Sequence, residues 1–240
     1  IFIADSGKLK LDEKLRHLYD CASYDRTEGF ITATTAKIRS YAQDCESCSY
    51  AKDVQFPVRA LLVNWRSLRV LDLSCLNITD LPNAIGGLLH LRWLDLSHNE
   101  MKMLPKSLTK LINLQFLDLR ECYKLEELPK DFNELVNLRT LFLSYPGIND
   151  ETSLGEDYRG GLRYMPLGME KMACLTTLNM FILGQRKSSM KREVRLEDLR
   201  VPRNLRGSLH ICIRADYKHS QEYGRGGYLC NTEYLKSITI

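Results

Sequence analysis

Leucine falls on a fixed beat through the middle of the chain. The blocks Leu68-x-x-Leu71-x-Leu73, Leu91-x-x-Leu94-x-Leu96, Leu114-x-x-Leu117-x-Leu119 and Leu138-x-x-Leu141-x-Leu143 start 23, 23 and 24 residues apart. Apolar residues alternate at the end of each block, the period of a short strand, so Leu71 and Leu73 point to one side while Val70, Asp72 and Ser74 point to the other. Each block runs on into an apolar residue and a Leu-Pro pair: Ile78 then Leu81-Pro82, Met101 then Leu104-Pro105, Leu125 then Leu128-Pro129. Apolar residues then return at every third position, as in Ile85, Leu88, Leu91 and in Leu108, Leu111, Leu114. That spacing predicts a short helical turn whose first positions suit proline, since its missing N–H is not needed there.

A period between 20 and 29 with this internal pattern is the leucine-rich repeat. The expected fold is an α/β solenoid: a horseshoe with a parallel β-sheet on its concave face and short helices or irregular turns on its convex face. One coil cannot bury its leucines alone. Stacking sets the strands about 4.8 Å apart and buries each leucine between neighbours, worth roughly 1.5–3 kcal/mol apiece. Asn99 follows the second regular strand, where its amide can satisfy turn backbone. Leu76, Cys122 and Pro146 hold that position in neighbouring coils, so a poor asparagine ladder is expected.

Regularity breaks after Leu143. The next good start, Leu175-x-x-Leu178-x-Met180, lies 37 residues after Leu138, and the excess maps to 149–161, NDETSLGEDYRGG, which reads as a surface-loop insertion. Leu205, Leu209 and Ile211 make a loose strand, and Leu235-x-x-Ile238-x-Ile240 a last one. Upstream, Leu15 to Leu18 and Lys37 to Tyr41 look like degenerate first strands, and Ala60 to Trp65 fits a helix leading into the first regular coil, over too short a period to decide. The chain thus divides into degenerate N-terminal repeats or cap (1–67), regular repeats with the insertion (68–183), and basic irregular repeats (184–240) expected to be cut short inside a coil.

Composition narrows the function classes. The 240 residues are 44% apolar and 27% charged, with a net charge of +4. Uninterrupted apolar runs reach four residues, as at Met180 to Leu183, against the roughly 20 needed to cross a bilayer, so no membrane span is expected. The first residue is Ile1, with no basic-then-apolar leader, so an excised piece is expected. Eight scattered cysteines favour reduced thiols and a cytoplasmic location. Cys45 and Cys48 have CxxC spacing, but no second pair completes a zinc site, and they read as ordinary thiols. The sequon Asn77-Ile78-Thr79 is too common by chance to argue secretion. Among the five histidines and Asp72, Asp95 and Asp118, nothing makes a nucleophile with its base, so no enzyme is expected, with His98 placed on a turn beside Asn99.

Arg16-His17-Leu18, then Lys37-Ile38-Arg39-Ser40, then Leu68-Arg69-Val70-Leu71-Asp72-Leu73-Ser74 resemble, in order and spacing, the opening of the repeat region in plant intracellular nucleotide-binding disease-resistance proteins. Asn204-Leu205-Arg206-Gly207-Ser208-Leu209-His210-Ile211 is similar to a later segment of the coiled-coil class of that family. The resemblance implies a protein-interaction module that recognises a pathogen effector or the host protein it guards, and that restrains the receptor's own nucleotide-binding domain. ATP or ADP would belong to that upstream domain; no GxxxxGK[ST] loop occurs here, so no cofactor is expected in this segment. The repeat arm of another intracellular scaffold or ubiquitin-ligase adaptor shares the fold. An extracellular repeat receptor would favour paired terminal cysteines and Gly-x-Ile-Pro where this chain has Leu-Pro.

Outward strand positions should line up into columns: Val70, Trp93, Phe116, Thr140 and Thr177; then Asp72, Asp95, Asp118, Phe142 and Asn179; then Ser74, Ser97, Arg120, Ser144 and Phe181. Trp93, Phe116, Phe142 and Phe181 are candidate partner-binding aromatics, or merely cover their neighbours' side chains. Asp72, Asp95 and Asp118 are either the solvated face of the repeat or a docking stripe for a basic partner. Their mutual repulsion should disfavour ionisation of at least one, with Arg120 offsetting part of it. Between Arg186 and Arg206 eight basic residues face three acidic ones. This stretch is a solvated loop, or docks intramolecularly through Arg186, Lys187, Lys191 and Arg192; nucleic acid is disfavoured because the interleaved aromatics of a single-strand binder are missing.

Overall fold

In a computed structural model the described residues are 2–4, 16–20, 38–43, 58–144, 161–184, 204–213 and 235–239. Eleven short strands run in chain order: β1 (Phe2–Ala4), β2 (His17–Asp20), β3 (Ser40–Gln43), β4 (Val70–Asp72), β5 (Trp93–Asp95), β6 (Phe116–Leu119), β7 (Thr140–Leu143), β8 (Thr177–Leu178), β9 (Met180–Leu183), β10 (Gly207–Ile213) and β11 (Leu235–Thr239). β1 to β8 form one sheet in sequence order, and β9, β10 and β11 a second. Every pairing is parallel. A sheet that adds strands in chain order, all parallel, with a turn of chain between each pair, is a solenoid. Among the described residues one α-helix, α1 (Val58–Asn64), leads into the regular coils.

Equal repeat lengths lock the register. Val70, Trp93, Phe116, Thr140 and Thr177 stand opposite one another, as do Asp72, Asp95, Asp118 and Phe142. The strand leucines of the four regular coils are buried, and Ile85, Leu88, Leu108, Leu111, Phe132 and Leu135 close the core from the convex side.

On that side the chain makes 3₁₀ turns at Asn83–Gly87, Lys106–Lys110, Phe132–Glu134 and Met169–Lys171. Prolines 82 and 105 sit one residue before the turn in extended backbone, rather than inside its first turn. Their carbonyls accept the first turn bonds, from Ile85 and Leu108 N–H at 3.0 Å each. Successive turns pack tightly: a Cβ built on Gly86 would lie 2.5 Å from the Ser107 carbonyl oxygen.

Asn99 is a buried hub. Its Oδ1 accepts from the N–H groups of Leu76 (3.2 Å) and Ile78 (2.9 Å), and its Nδ2 donates to the carbonyls of Leu73, Leu96 and Ser97. One coil on, Cys122 takes over with its thiol on the Leu96 carbonyl, while Ser144 Oγ accepts from Cys122 N–H and donates to Leu119 O. The poor asparagine ladder is thus completed by a thiol and a hydroxyl. Burial pushes the Cys122 thiol up to about 11, so it stays protonated at neutral pH.

One expectation about the cysteines is corrected. Cys122, Cys174 and Cys212 are free, but Cys75 is disulfide-bonded, so the eight are not all reduced thiols. The 149–160 part of the insertion, the Cys45/Cys48 pair and the basic side chains Arg186, Lys187, Lys191 and Arg192 lie outside the described residues.

Candidate partner-binding face

The first outward column carries the large apolar surface. Trp93 is 42% exposed and Phe116 half-buried. Direct register brings the two rings face to face, with centroids 3.4 Å apart and planes at 5°. Phe142, one coil on, meets Phe116 edge-on at 5.8 Å. These three candidates share one aromatic cluster on the open side of the sheet.

Phe181 does not join it. It is buried, and so are Met180, Ile182 and Leu183 beside it, leaving β9 covered on both sides. The cause is a change of phase. Asn179 interrupts the strand and its amide clasps the N–H and the carbonyl of Leu143 at 2.8 Å each, so β9 begins afresh and pairs with β10 in the second sheet. The third column also fails as a solvent-facing stripe: Ser74, Ser97 and Ser144 are buried, and only Arg120 reaches solvent.

The aspartates have a backbone task. Asp72, Asp95 and Asp118 each accept, at 2.9 Å, the N–H two residues on, from Ser74, Ser97 and Arg120. Such a bond fixes the strand's exit and explains a carboxylate at that position without any partner. Asp118 is fully buried, which removes it from any solvent-facing stripe. It holds the Arg120 guanidinium through Nε (3.0 and 2.9 Å) and Nη2 (2.6 Å), and that guanidinium lies 4.8 Å from the Phe142 ring centroid. The Asp118 contact raises the Arg120 pKa further. Asp95 is pushed above the ordinary aspartate value, first by burial, against the Ser97 hydrogen bonds and with repulsion from Asp72 and Asp118 added. One aspartate is indeed disfavoured as an anion, but desolvation outweighs like charge as the cause.

A column of arginines was missed. Arg39, Arg69, Arg92 and Arg139 occupy the position just before the first outward column, linked through Gln115 by backbone bonds of 2.7–2.8 Å from each coil to the next. All four are exposed, and none forms an ion pair among the described residues. The repeated pairs Ile38-Arg39, Leu68-Arg69, Leu91-Arg92 and Leu138-Arg139 carry its signal in the sequence. At the turn tips Leu89, Ile112 and Val136 form a parallel exposed aliphatic row. Among the described residues no group of three or more His, Cys, Asp or Glu is placed to hold a metal ion, and no helix is long and apolar enough to cross a membrane.

Residues 48–240 match the family described as Leucine-rich repeat region. No curated protein matches the chain. Among solved structures, internalin C2 of Listeria monocytogenes is similar at 16% identity and a TM-score of 0.51, over 84% of this chain and 70% of that one. A leucine-rich repeat protein of Leptospira interrogans is similar at 16% identity and 0.47, over 91% and 71%. The repeat domain of the type III effector XopL matches at 22% and 0.43, over 63% and 46%. At 16% identity the likeness to internalin C2 reaches the fold and no further.

Proposed function

The chain belongs to the leucine-rich repeat family, and from that premise we propose that its concave face is a docking surface for a protein partner. The observation that carries this reading is the Trp93–Phe116 stack, large aromatic area left open on a sheet whose leucine core is otherwise closed. Exposed aromatics on a rigid surface are where binding energy concentrates. The bare arginine column beside them adds complementarity to acidic groups on the partner.

The finer reading is the interaction module of a plant intracellular immune receptor. It recognises a pathogen effector or a guarded host protein and restrains its own nucleotide-binding domain, in part through Arg186, Lys187, Lys191 and Arg192. The ordered motif resemblance at Arg16, Arg39 and Arg69 supports it. A cytoplasmic location goes with that reading. The extracellular repeat receptor is favoured instead by the Cys75 disulfide. Thiol titration of the protein from its native source, denatured without reductant, separates them: six thiols, with the Cys75 disulfide alone, fit the first, and several disulfides the second.

Ligands for testing the face come from a random dodecamer peptide library selected on the full chain. Trp93→Ala with Phe116→Ala should weaken the selected ligands at least tenfold, as hot-spot truncations worth about 2 kcal/mol or more do. The melting temperature should move by only a few degrees, because both rings lie outside the leucine core. Unchanged affinity, or loss of binding explained by unfolding, contradicts the reading.

A further inference from the structure

On the concave face a carboxylate, an aromatic ring and a guanidinium meet at one place. Asp118 grips the Arg120 guanidinium, and that guanidinium lies against the Phe142 ring. One coil earlier a carboxylate, Asp95, and an aromatic, Trp93, also stand near each other without a guanidinium, though the aromatic there comes from the same strand, while Phe142 comes from the strand after that of Asp118. Asp72 and Asp95 stand opposite each other on β4 and β5, half-buried, and Trp93 precedes Asp95 by two residues on the same side of the strand. At the position of Arg120 those coils carry Ser74 and Ser97, too short to reach back as a cation. No basic side chain forms an ion pair with Asp72 or Asp95 among the described residues.

Trp93 keeps 42% of its surface open to solvent. Phe116 covers one face of Trp93, in near-parallel contact. The opposite face is turned toward β4, where the in-register residue is the smaller Val70. A planar cation over that face would lie along the ring and reach both carboxylates, which adjacent strands hold about 5 Å apart. The raised Asp95 pKa reflects charge held in a desolvated setting with carboxylate neighbours, which an incoming cation relieves.

We propose that Asp72, Asp95 and the exposed indole of Trp93 form a subsite for an arginine side chain presented by the protein partner, an intermolecular counterpart of the contact that Arg120 makes with Asp118 and Phe142 within this chain. The assignment rests on the concave-face reading above and specifies the chemistry of what docks there. Arginine fits better than lysine because its flat, forked guanidinium stacks on an indole while separate N–H groups donate to the carboxylates, where a compact ammonium has no plane to stack.

The experiment uses the full chain and the dodecamer peptides selected on it. Ligands that depend on Trp93 should share an arginine, and changing that arginine to glutamine should weaken them at least fivefold. Asp72→Asn and Asp95→Asn, which keep shape and the turn hydrogen bond, should cost a similar factor. In a double-mutant cycle the peptide's arginine and Asp95 should be coupled, so that the second change costs little once the first is made. Ser97→Arg, which supplies the guanidinium from within, should block the site. If that variant does not fold, the Asp95 cycle decides by itself. Ligands that need Trp93 but carry no arginine and bind Asp72→Asn and Asp95→Asn as tightly as wild type overturn the subsite and leave the docking face standing. Ligands indifferent to Trp93→Ala with Phe116→Ala, or a library that yields no binder, overturn both.

Discussion

Asn99 shows how much one side chain can carry in a repeat. It pairs five backbone groups of two coils in the core, so Asn99→Ala would leave several of them buried without a partner. The expected cost is roughly 2–4 kcal/mol, a fall in melting temperature of roughly 5–15 °C. A fall under two degrees would mean that the turn backbone finds other partners. Asp95 should behave in the opposite sense. Its folded-state pKa lies above the unfolded value near 3.8, so folding favours the protonated form. The penalty on stability is fully present above the folded pKa, shrinks as pH falls between the two values, and is gone below the unfolded one. Asp95→Asn should therefore raise the melting temperature at neutral pH and lose that advantage below the ordinary aspartate pKa, a comparison that thermal melts across pH make directly. An advantage that is the same at every pH would contradict the assigned cause. Together with the binding loss expected of the same variant, this would make Asp95 a residue kept charged at the expense of stability. The aspartate column was legible in the sequence as a column. Its burial was not, because the screen over Asp118 comes from Arg120 folding back onto it, a tertiary choice that spacing does not encode.

At the scale of the element, the coil is fixed by a few positions that hydrophobic periodicity does not see. Cys75, His98 and Glu121 recur 23 residues apart and all have φ between 56° and 58°, the left-handed region that non-glycine residues rarely adopt. Each lies just past its strand, where the N–H groups of Cys75 and His98 reach the Ser97 and Arg120 carbonyls one coil on. That bend lets the chain leave the sheet and turn toward Asn99. Nothing in a cysteine, a histidine and a glutamate announces a shared conformation, which is why His98 was read only as part of a turn. The strands themselves were legible because leucine alternation and repeat length set both face and register. Phe181 was misplaced for the complementary reason: the alternation was carried through Asn179, where the side-chain clasp on Leu143 resets the phase. On the convex side the contact at Gly86 leaves no room for a methyl group against Ser107 backbone. Gly86→Ala should cost about 1–3 kcal/mol through forced separation of two coils, read as a lower denaturant midpoint with an unchanged slope. A neutral result would show that the 3₁₀ turns slide past one another freely.

For the whole molecule, stacking turns local regularity into a surface. Leucines that no single coil could bury are closed off by their neighbours, and the same register that closes the core aligns arginines and aromatics on the open face, with Asp72 and Asp95 half-buried beside them. The core thus sets the geometry of the binding surface without contributing a side chain to it, and substitutions on the stripes should separate affinity from stability. Location is the central claim. It is tested most directly by hydroxyl-radical footprinting of the full chain with and without a selected ligand. Trp93, 42% exposed on the concave face, and Met103, 70% exposed beyond the strand on the way to the convex turn, are both readily oxidised reporters. Ligand should slow oxidation of Trp93 several-fold and leave Met103 unchanged, whereas protection of Met103 with Trp93 still oxidised at its free rate would put the partner on the other side of the solenoid and contradict the account.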